Sequence, residues 1–220
     1  MALTVHNPPD AHLTAEEVSA WRAIPTAVIS DELNRACTMD AAIKPMVAGT
    51  TMSGQAMTVC VMVGDNAPLH YAVAMARPGT ILVVDARGHE NTAVWGGILT
   101  AAAVAARLGG VIIDGAVRDV AEIRESGLPV YARAVVPNGP HKGFGGTING
   151  PVSCAGAAVN PGDLIVGDDD GIVVIRPEDR DGLMAGCKKR IAKEEDILRQ
   201  IAAGKTTVEL QGLPAPEDFA

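Results

Sequence analysis

The chain has 220 residues, 48% of them hydrophobic, and its 18 Lys and Arg against 26 Asp and Glu give a net charge of −8. That apolar share excludes a disordered chain, and this length can bury a sizeable core without disulfide or metal staples. An acidic balance with no Lys/Arg-rich block speaks against nucleic acid as a partner, and no apolar stretch is long enough to span a membrane. The first thirty residues lack the basic start and apolar run of a signal peptide, and Cys37, Cys60, Cys154 and Cys187 lie far apart, so a cytoplasmic protein with free thiols is expected. With only two Trp, two Tyr and two Phe, the core must be built from Ala, Val, Ile and Leu.

Thr14-Ala15-Glu16-Glu17 is a capping-box signature leading into Val18 and Trp21, which predicts a helix. A second short helix is expected over 26–35 and a strand over 54–63. Pro68 suits the first turn of a helix running to 76. Residues 80–85 form an apolar strand opened by Pro78-Gly79, and 97–108 an Ala-rich helix closed by Gly109-Gly110. A strand over 111–114, a helix over 117–125 ended by Gly127, and a strand over 129–134 follow. Uniformly apolar strands alternating with helices predict parallel β-α-β units covered by helices. Residues 136–150, rich in Gly, Pro and Asn, read as a loop too long for a mere connection. Short strands around 152–154, 157–159, 164–166 and 172–175, separated by tight turns, favour antiparallel pairing. An amphipathic helix over 177–203 ends at Gly204, and with the tail beyond Lys205 it is expected to contact a neighbouring subunit. The absence of repeats and linkers predicts one α/β domain over 1–220 with mixed sheets.

In open parallel sheets, ligands bind beyond the carboxyl ends of the strands. Two such ends are legible, 85–97 and 114–119. The first runs into a helix at Trp95-Gly96-Gly97-Ile98-Leu99. Glycines there let a ligand approach the backbone, and the unpaired first-turn amides suit a carboxylate or phosphate. The second delivers Arg118-Asp119, which can hold an anion and a hydrated divalent cation together. The plain alternative is a helix-start Asp beside a solvated or salt-bridged Arg. His70 reads as a partly buried structural histidine, with a loop-ordering role near Asp65-Asn66 as its alternative. His141-Lys142 is either an anion contact or a solvated loop. Asp168-Asp169-Asp170-Gly171 reads as a hairpin turn, lacking the spaced ligands and distal Glu of an EF-hand.

Gly97, Arg118, Asp119 and Glu122 stand at the spacing G-x20-R-D-x2-[ED]. Together with 26–31, 54–59, Gly64-Asp65-Asn66, 112–119, Cys154-Ala155-Gly156 and Pro161-Gly162-Asp163, this pattern resembles the RraA-like family over nearly the whole chain. Within it the chain resembles the class II 4-hydroxy-4-methyl-2-oxoglutarate/4-carboxy-4-hydroxy-2-oxoadipate aldolases. The resemblance implies a β/β/α sandwich of swivelling-domain type, with a parallel central sheet and an antiparallel second sheet. It implies homotrimers or homohexamers with active sites between subunits. Asp119 would bind Mg²⁺ or Mn²⁺ largely through waters, and Arg118 would grip the keto or enolate oxygen of a small anionic oxo acid. The Gly96-Gly97 turn with the amides of Ile98 and Leu99 would take its carboxylate, and Asp31 and Glu194 would come from the neighbouring subunit. The implied reaction cleaves 4-hydroxy-2-oxo di- or tricarboxylic acids to pyruvate and a second oxo acid, with oxaloacetate decarboxylation through the same pyruvate enolate. Gly97 departs from the acidic metal-shell residue of those aldolases. An enolate needs an electron sink, a Schiff-base lysine or a divalent cation. None of the six lysines falls in a buried strand of the expected site, which favours the cation. The rival expectation is a non-catalytic RraA-type regulator of ribonuclease, which lacks the complete Arg-Asp pair.

Overall fold

A computed structural model describes residues 2–8 and 12–214. In chain order its elements are β1 (Ala2–Val5), α1 (Ala15–Arg22), α2 (Thr26–Glu32), β2 (Lys44–Pro45), β3 (Met52–Val61), α3 (Ala67–Met75), β4 (Ile81–Trp95), α4 (Gly97–Ala105), β5 (Gly110–Val117) and α5 (Val120–Ser126). There follow β6 (Val130–Val135), β7 (Gly145–Ile148), β8 (Val152–Cys154), β9 (Ala157–Val159), β10 (Leu164–Asp168), β11 (Gly171–Ile175), α6 (Arg180–Ala202) and α7 (Thr207–Gln211). The expected capping box is present at the start of α1: Thr14 accepts from the Glu17 amide while Glu17 accepts from the Thr14 amide.

The main sheet runs β1-β7-β3-β4-β5-β6-β2. Its centre, β3-β4-β5-β6, is parallel, as the β-α-β reading requires. The tight turns of the second half give antiparallel pairs, β8 with β9 and β10 with β11. Strand β3 joins the two halves. Its first residues pair antiparallel with β10, and Ala56–Cys60 pair parallel with β4.

Period-two alternation divides the core. Leu82, Val84, Val111 and Ile113 face α3, α4 and α5, meeting Leu69, Val73, Leu99, Ala103 and Ile123. Ile81, Val83 and Ile112 face the other way, onto the β8–β9 hairpin and onto Ile165, Ile172 and Val174 of the second sheet. The outer side of that sheet, Leu164, Val166, Val173 and Ile175, is covered by Trp21, Val28, Ile29 and Leu183 from α1, α2 and α6. The β/β/α sandwich is present, with a further helical layer closing its outer sheet. Strands β10 and β11 are therefore buried on both faces, which is why they read as continuous apolar runs.

Several boundaries differ from the sequence reading. Strand β4 does not end at Asp85 but continues through bulges to Trp95, so 85–97 is not a loop: Asp85 pairs with Asp114, His89 with Gly115, Ala93 with Ala116 and Trp95 with Val117. Residues 136–150 are not all loop, since β7 inserts between β1 and β3. Helix α2 stops at Glu32, where Asn34 and Arg35 take left-handed backbone angles. The Asp168–Gly171 segment is the expected hairpin turn with an added task. Asp168 accepts from the Thr26 amide (2.9 Å) and hydroxyl (2.6 Å), placing a carboxylate at the start of α2. No helix among the described residues is long and apolar enough to cross a membrane.

Candidate functional site

Adjacent parallel strands β4 and β5 end side by side, with Trp95 paired to Val117 and the Arg118 amide donating to the Trp95 carbonyl at 3.0 Å. Both strands lead there into helices, α4 and α5. The buried Trp95 indole N–H donates to the Thr100 hydroxyl (2.9 Å), which donates to the Gly96 carbonyl (3.0 Å), and this fixes the first turn of α4.

Asp119 precedes α5 in the left-handed region, φ 57° and ψ 45°. Aspartate tolerates that region better than most residues, at a cost of about 1 kcal/mol or more that clusters at functional sites. The conformation redirects its carboxylate. Asp119 does not cap its own helix; its Oδ2 accepts from the Gly97 amide at 2.9 Å, at the start of α4, and lies 3.5 Å from Arg118 Nε. The positive end of α4 favours a carboxylate there. The next two amides, of Ile98 and Leu99, donate to no group among the described residues. One surface thus presents a guanidinium, a carboxylate and two free helix-start amides. The Arg118 and Asp119 side chains are 40% and 38% exposed.

Gly96 is bare because of this arrangement. Its φ of −171° is extended backbone that any residue adopts. A Cβ on it, however, would stand 2.5 Å from Asp119 Oδ2 and 3.0 Å from Arg118 Cγ. Gly97 differs: its Cβ would lie in ordinary contact, 3.5 Å from Glu122 Cβ and 3.6 Å from Asp119 Cβ. A side chain at 97 would therefore lie near both Asp119 and Glu122, the acid in the first turn of α5.

The other expected acids stand elsewhere in the chain. Asp31, on α2, pairs with Arg190 (3.3 Å) and Arg35 (3.6 Å). Glu194 is one turn beyond Arg190 on α6. The pKa of Arg190 is raised first by its hydrogen bond from Nε to Glu32, with Asp31 and Glu194 adding to the field. Within one chain, Asp31 and Glu194 gather around Arg190 and not around Arg118. All six lysines are exposed, on β2, in the loop before β7, along α6 and after it. A cavity of about 500 Å³ lies at the opposite end of the sheet, against Val18, Met57 and Arg77, and does not include the Arg118–Asp119 surface.

Among the described residues no three His, Cys, Asp or Glu side chains converge on a metal position. Asp119 has one oxygen held by the Gly97 amide and Arg118, and its Oδ1 accepts from no described residue. One available carboxylate oxygen, with Glu122 beside it, suits a hard cation that keeps most of its water; it does not suit a dehydrated all-protein cage.

The reading of His70 is corrected. The residue is exposed on α3, although partial desolvation of its ring and then the charge of Lys142 lower its pKa. Loop ordering falls to Asp65, whose fully buried carboxylate accepts from the amides of Ala67, Gly143, Phe144 and Gly145. Burial works against its charge, yet the four donors together hold its pKa below the usual carboxylate range. Its signal was in the sequence: an Asp two residues before an amide at a Pro-initiated helix start is an Asx turn. The ring of His141 is exposed, edge-on to Phe144 at 6.0 Å.

Residues 26–174 match the family model described as RraA-like, Aldolase/RraA. A Halalkalibacterium halodurans protein named "Putative 4-hydroxy-4-methyl-2-oxoglutarate aldolase" is 35% identical over 84% of this chain and 88% of its own length. The 4-hydroxy-4-methyl-2-oxoglutarate aldolase of Thermus thermophilus is 34% identical over 56% of this chain and 74% of its own. Among solved structures, the RNA-processing inhibitor RraA of Thermus thermophilus superposes with a TM-score of 0.64 at 28% identity, covering 69% of this chain and 92% of that one.

Proposed function

The chain belongs to the RraA-like family, and on that premise we propose that it is a divalent-metal-dependent lyase that cleaves 4-hydroxy-2-oxo di- or tricarboxylic acids to pyruvate and a second oxo acid. The observation that carries this reading is the Asp119 carboxylate turned onto the start of α4 beside Arg118, leaving the Ile98 and Leu99 amides free. Those amides receive the carboxylate of the pyruvyl part, with Gly96 and Gly97 allowing its approach. Arg118 donates to the neighbouring keto oxygen and stabilises it as it becomes an enolate. Asp119, with Glu122 in place of a side chain at 97, would hold Mg²⁺ or Mn²⁺. When bound, the cation supplies positive charge against the same developing enolate. Oxaloacetate decarboxylation needs the same stabilisation and is proposed as a second activity.

The pair stands on an open surface, so one chain does not enclose a substrate. We place the site between subunits of a homotrimer or homohexamer, with Asp31 and Glu194 of the neighbour supplying acid and base. In this proposal α6 and the described residues after it, 203–214, would contribute to that contact. The name of the Thermus RraA structure supports the second reading, a non-catalytic regulator that binds a ribonuclease.

Pyruvate release coupled to NADH oxidation by lactate dehydrogenase separates them. With 4-hydroxy-4-methyl-2-oxoglutarate, 4-carboxy-4-hydroxy-2-oxoadipate and oxaloacetate, turnover is expected to stop with EDTA and return with excess Mg²⁺ or Mn²⁺. No metal-dependent pyruvate from any of the three would leave the regulator. The position of the carboxylate has its own test. Gly96→Ala is expected to push Asp119 off the Gly97 amide and weaken Mn²⁺ binding about tenfold, read by electron paramagnetic resonance titration. Unchanged Mn²⁺ affinity would mean that this hydrogen bond does not orient the ligand.

A further inference from the structure

We propose that Gly139 is a positioning residue: its missing side chain sets where the Arg118 guanidinium lies, which makes the glycine-rich loop after β6 one wall of the site. A Cβ at Gly139 would stand 2.5 Å from Arg118 Nη1 and 3.4 Å from its Cζ. Gly139 is not among the glycines with left-handed backbone angles, so only space requires a glycine here. Nearer the backbone of the same side chain, a Cβ at Gly96 would stand 3.0 Å from Arg118 Cγ. Two bare glycines thus leave room for Arg118, Gly96 at its Cγ and Gly139 at its guanidinium.

The backbone on both sides of Gly139 is held by hydrogen bonds. On one side of Gly139, the Asn138 carbonyl accepts from the Ala93 amide (2.9 Å), and the Asn138 side chain donates to the Asn91 carbonyl (3.1 Å). On the other, the His141 amide donates to the Gly64 carbonyl (2.7 Å), and Asp65 gathers the amides of Gly143, Phe144 and Gly145. The loop is pinned to β4 and to the start of α3, and the group that a methyl would meet is the mobile end of Arg118. An alanine at 139 is therefore accommodated by moving the guanidinium, at little expense to the fold. Gly143, in the same loop, meets nothing within 4 Å and serves as the control.

The experiment compares wild type, Gly139→Ala, Gly143→Ala, Arg118→Lys and the Gly139→Ala/Arg118→Lys double variant. Gly139→Ala is expected to keep its thermal midpoint within about 2 °C. Pyruvate release and affinity for oxalate, an enolate mimic, measured with Mg²⁺ present, should each fall about tenfold or more. Gly143→Ala should match wild type. In the Arg118→Lys background, adding Gly139→Ala should cost less than about twofold, because the atom it displaces is gone. Wild-type turnover and oxalate affinity in Gly139→Ala, or an equal loss in the lysine background, overturns the proposal. These two arms rest on the lyase reading, whereas a third does not. The Nε–H resonance of Arg118, assigned by its loss in Arg118→Lys, should shift in Gly139→Ala and stay in place in Gly143→Ala. If wild type neither releases pyruvate nor binds oxalate, the lyase reading fails and this resonance alone decides; no shift refutes the positioning role.

Discussion

Arg118→Ala is expected to lower metal-dependent pyruvate release about a thousandfold while leaving the unfolding midpoint near that of wild type. Among the described residues the guanidinium is the one side-chain cation at the Asp119 carboxylate and the start of α4, and losing a charged donor to a developing enolate costs on the order of 10²–10³ in turnover. Because that donor acts mainly as the enolate forms, kcat should fall far more than KM rises. Arg118→Lys restores charge without the planar fork, and recovery of only a small part of the rate is expected. For the acid, Asp119→Asn is the more informative change than alanine. Asparagine also tolerates the left-handed backbone at this position and keeps an oxygen for the Gly97 amide, so stability is preserved while the negative charge is lost. Turnover at saturating Mg²⁺ should fall about a hundredfold or more, with the Mn²⁺ affinity falling in parallel. Wild-type rates in either variant would move the chemistry away from this surface.

The location of the pair was legible because strand-end logic is topological. Apolar runs at 80–85 and 111–114, each followed by a helix, place two carboxyl ends side by side, and Arg118-Asp119 stands at one of them. The orientation within the pair was not legible. Nothing local marks Asp119 as left-handed, and the partner of its carboxylate, the Gly97 amide, is distant in sequence and meets it only across the β4–β5 junction. The same limit hid β4 beyond Asp85. Arg87, Gly88, Glu90 and Asn91 have loop character, and only pairing of His89 and Ala93 with β5 draws them into the sheet. Strand β7 was masked by Gly145 and Gly146, residues that weaken a strand alone but are needed where β1 and the Cys60 carbonyl press against it. The capping box at Thr14 and the hairpin at Asp168–Gly171 were legible since each is a contact between near neighbours. Gly96 and Gly139 are the opposite case: their reason is another residue's side chain, and no window along the chain contains both.

The second large effect belongs to Asp65, which serves stability and the site together. Asp65→Ala leaves four amides, three of them at the Gly143–Gly145 end of the glycine loop, without their acceptor. Hydrogen bonds to a buried charge are individually worth about 1.5–3 kcal/mol, and partial relaxation of the loop recovers some of the loss. A destabilisation of about 3 kcal/mol is expected, read as a lower urea midpoint. Asp65→Asn separates charge from shape, since it keeps one acceptor oxygen but turns an amide group toward amide donors. The pH dependence fixes the sign. The carboxyl pKa is depressed in the folded state, so its stabilisation is complete above the unfolded value, about 4, and is lost as pH falls through the lower folded value. The stability gap between wild type and Asp65→Asn should therefore be wide at pH 7 and narrow steadily as the pH is taken below about 4. A gap of constant size over that range would mean that shape, not charge, holds the loop. Because the loop that Asp65 pins also carries Gly139 against Arg118, Asp65→Asn at pH 7 should weaken oxalate binding in the same direction as Gly139→Ala. Stability and substrate grip would then fall together through one buried carboxylate that touches neither Arg118 nor Asp119.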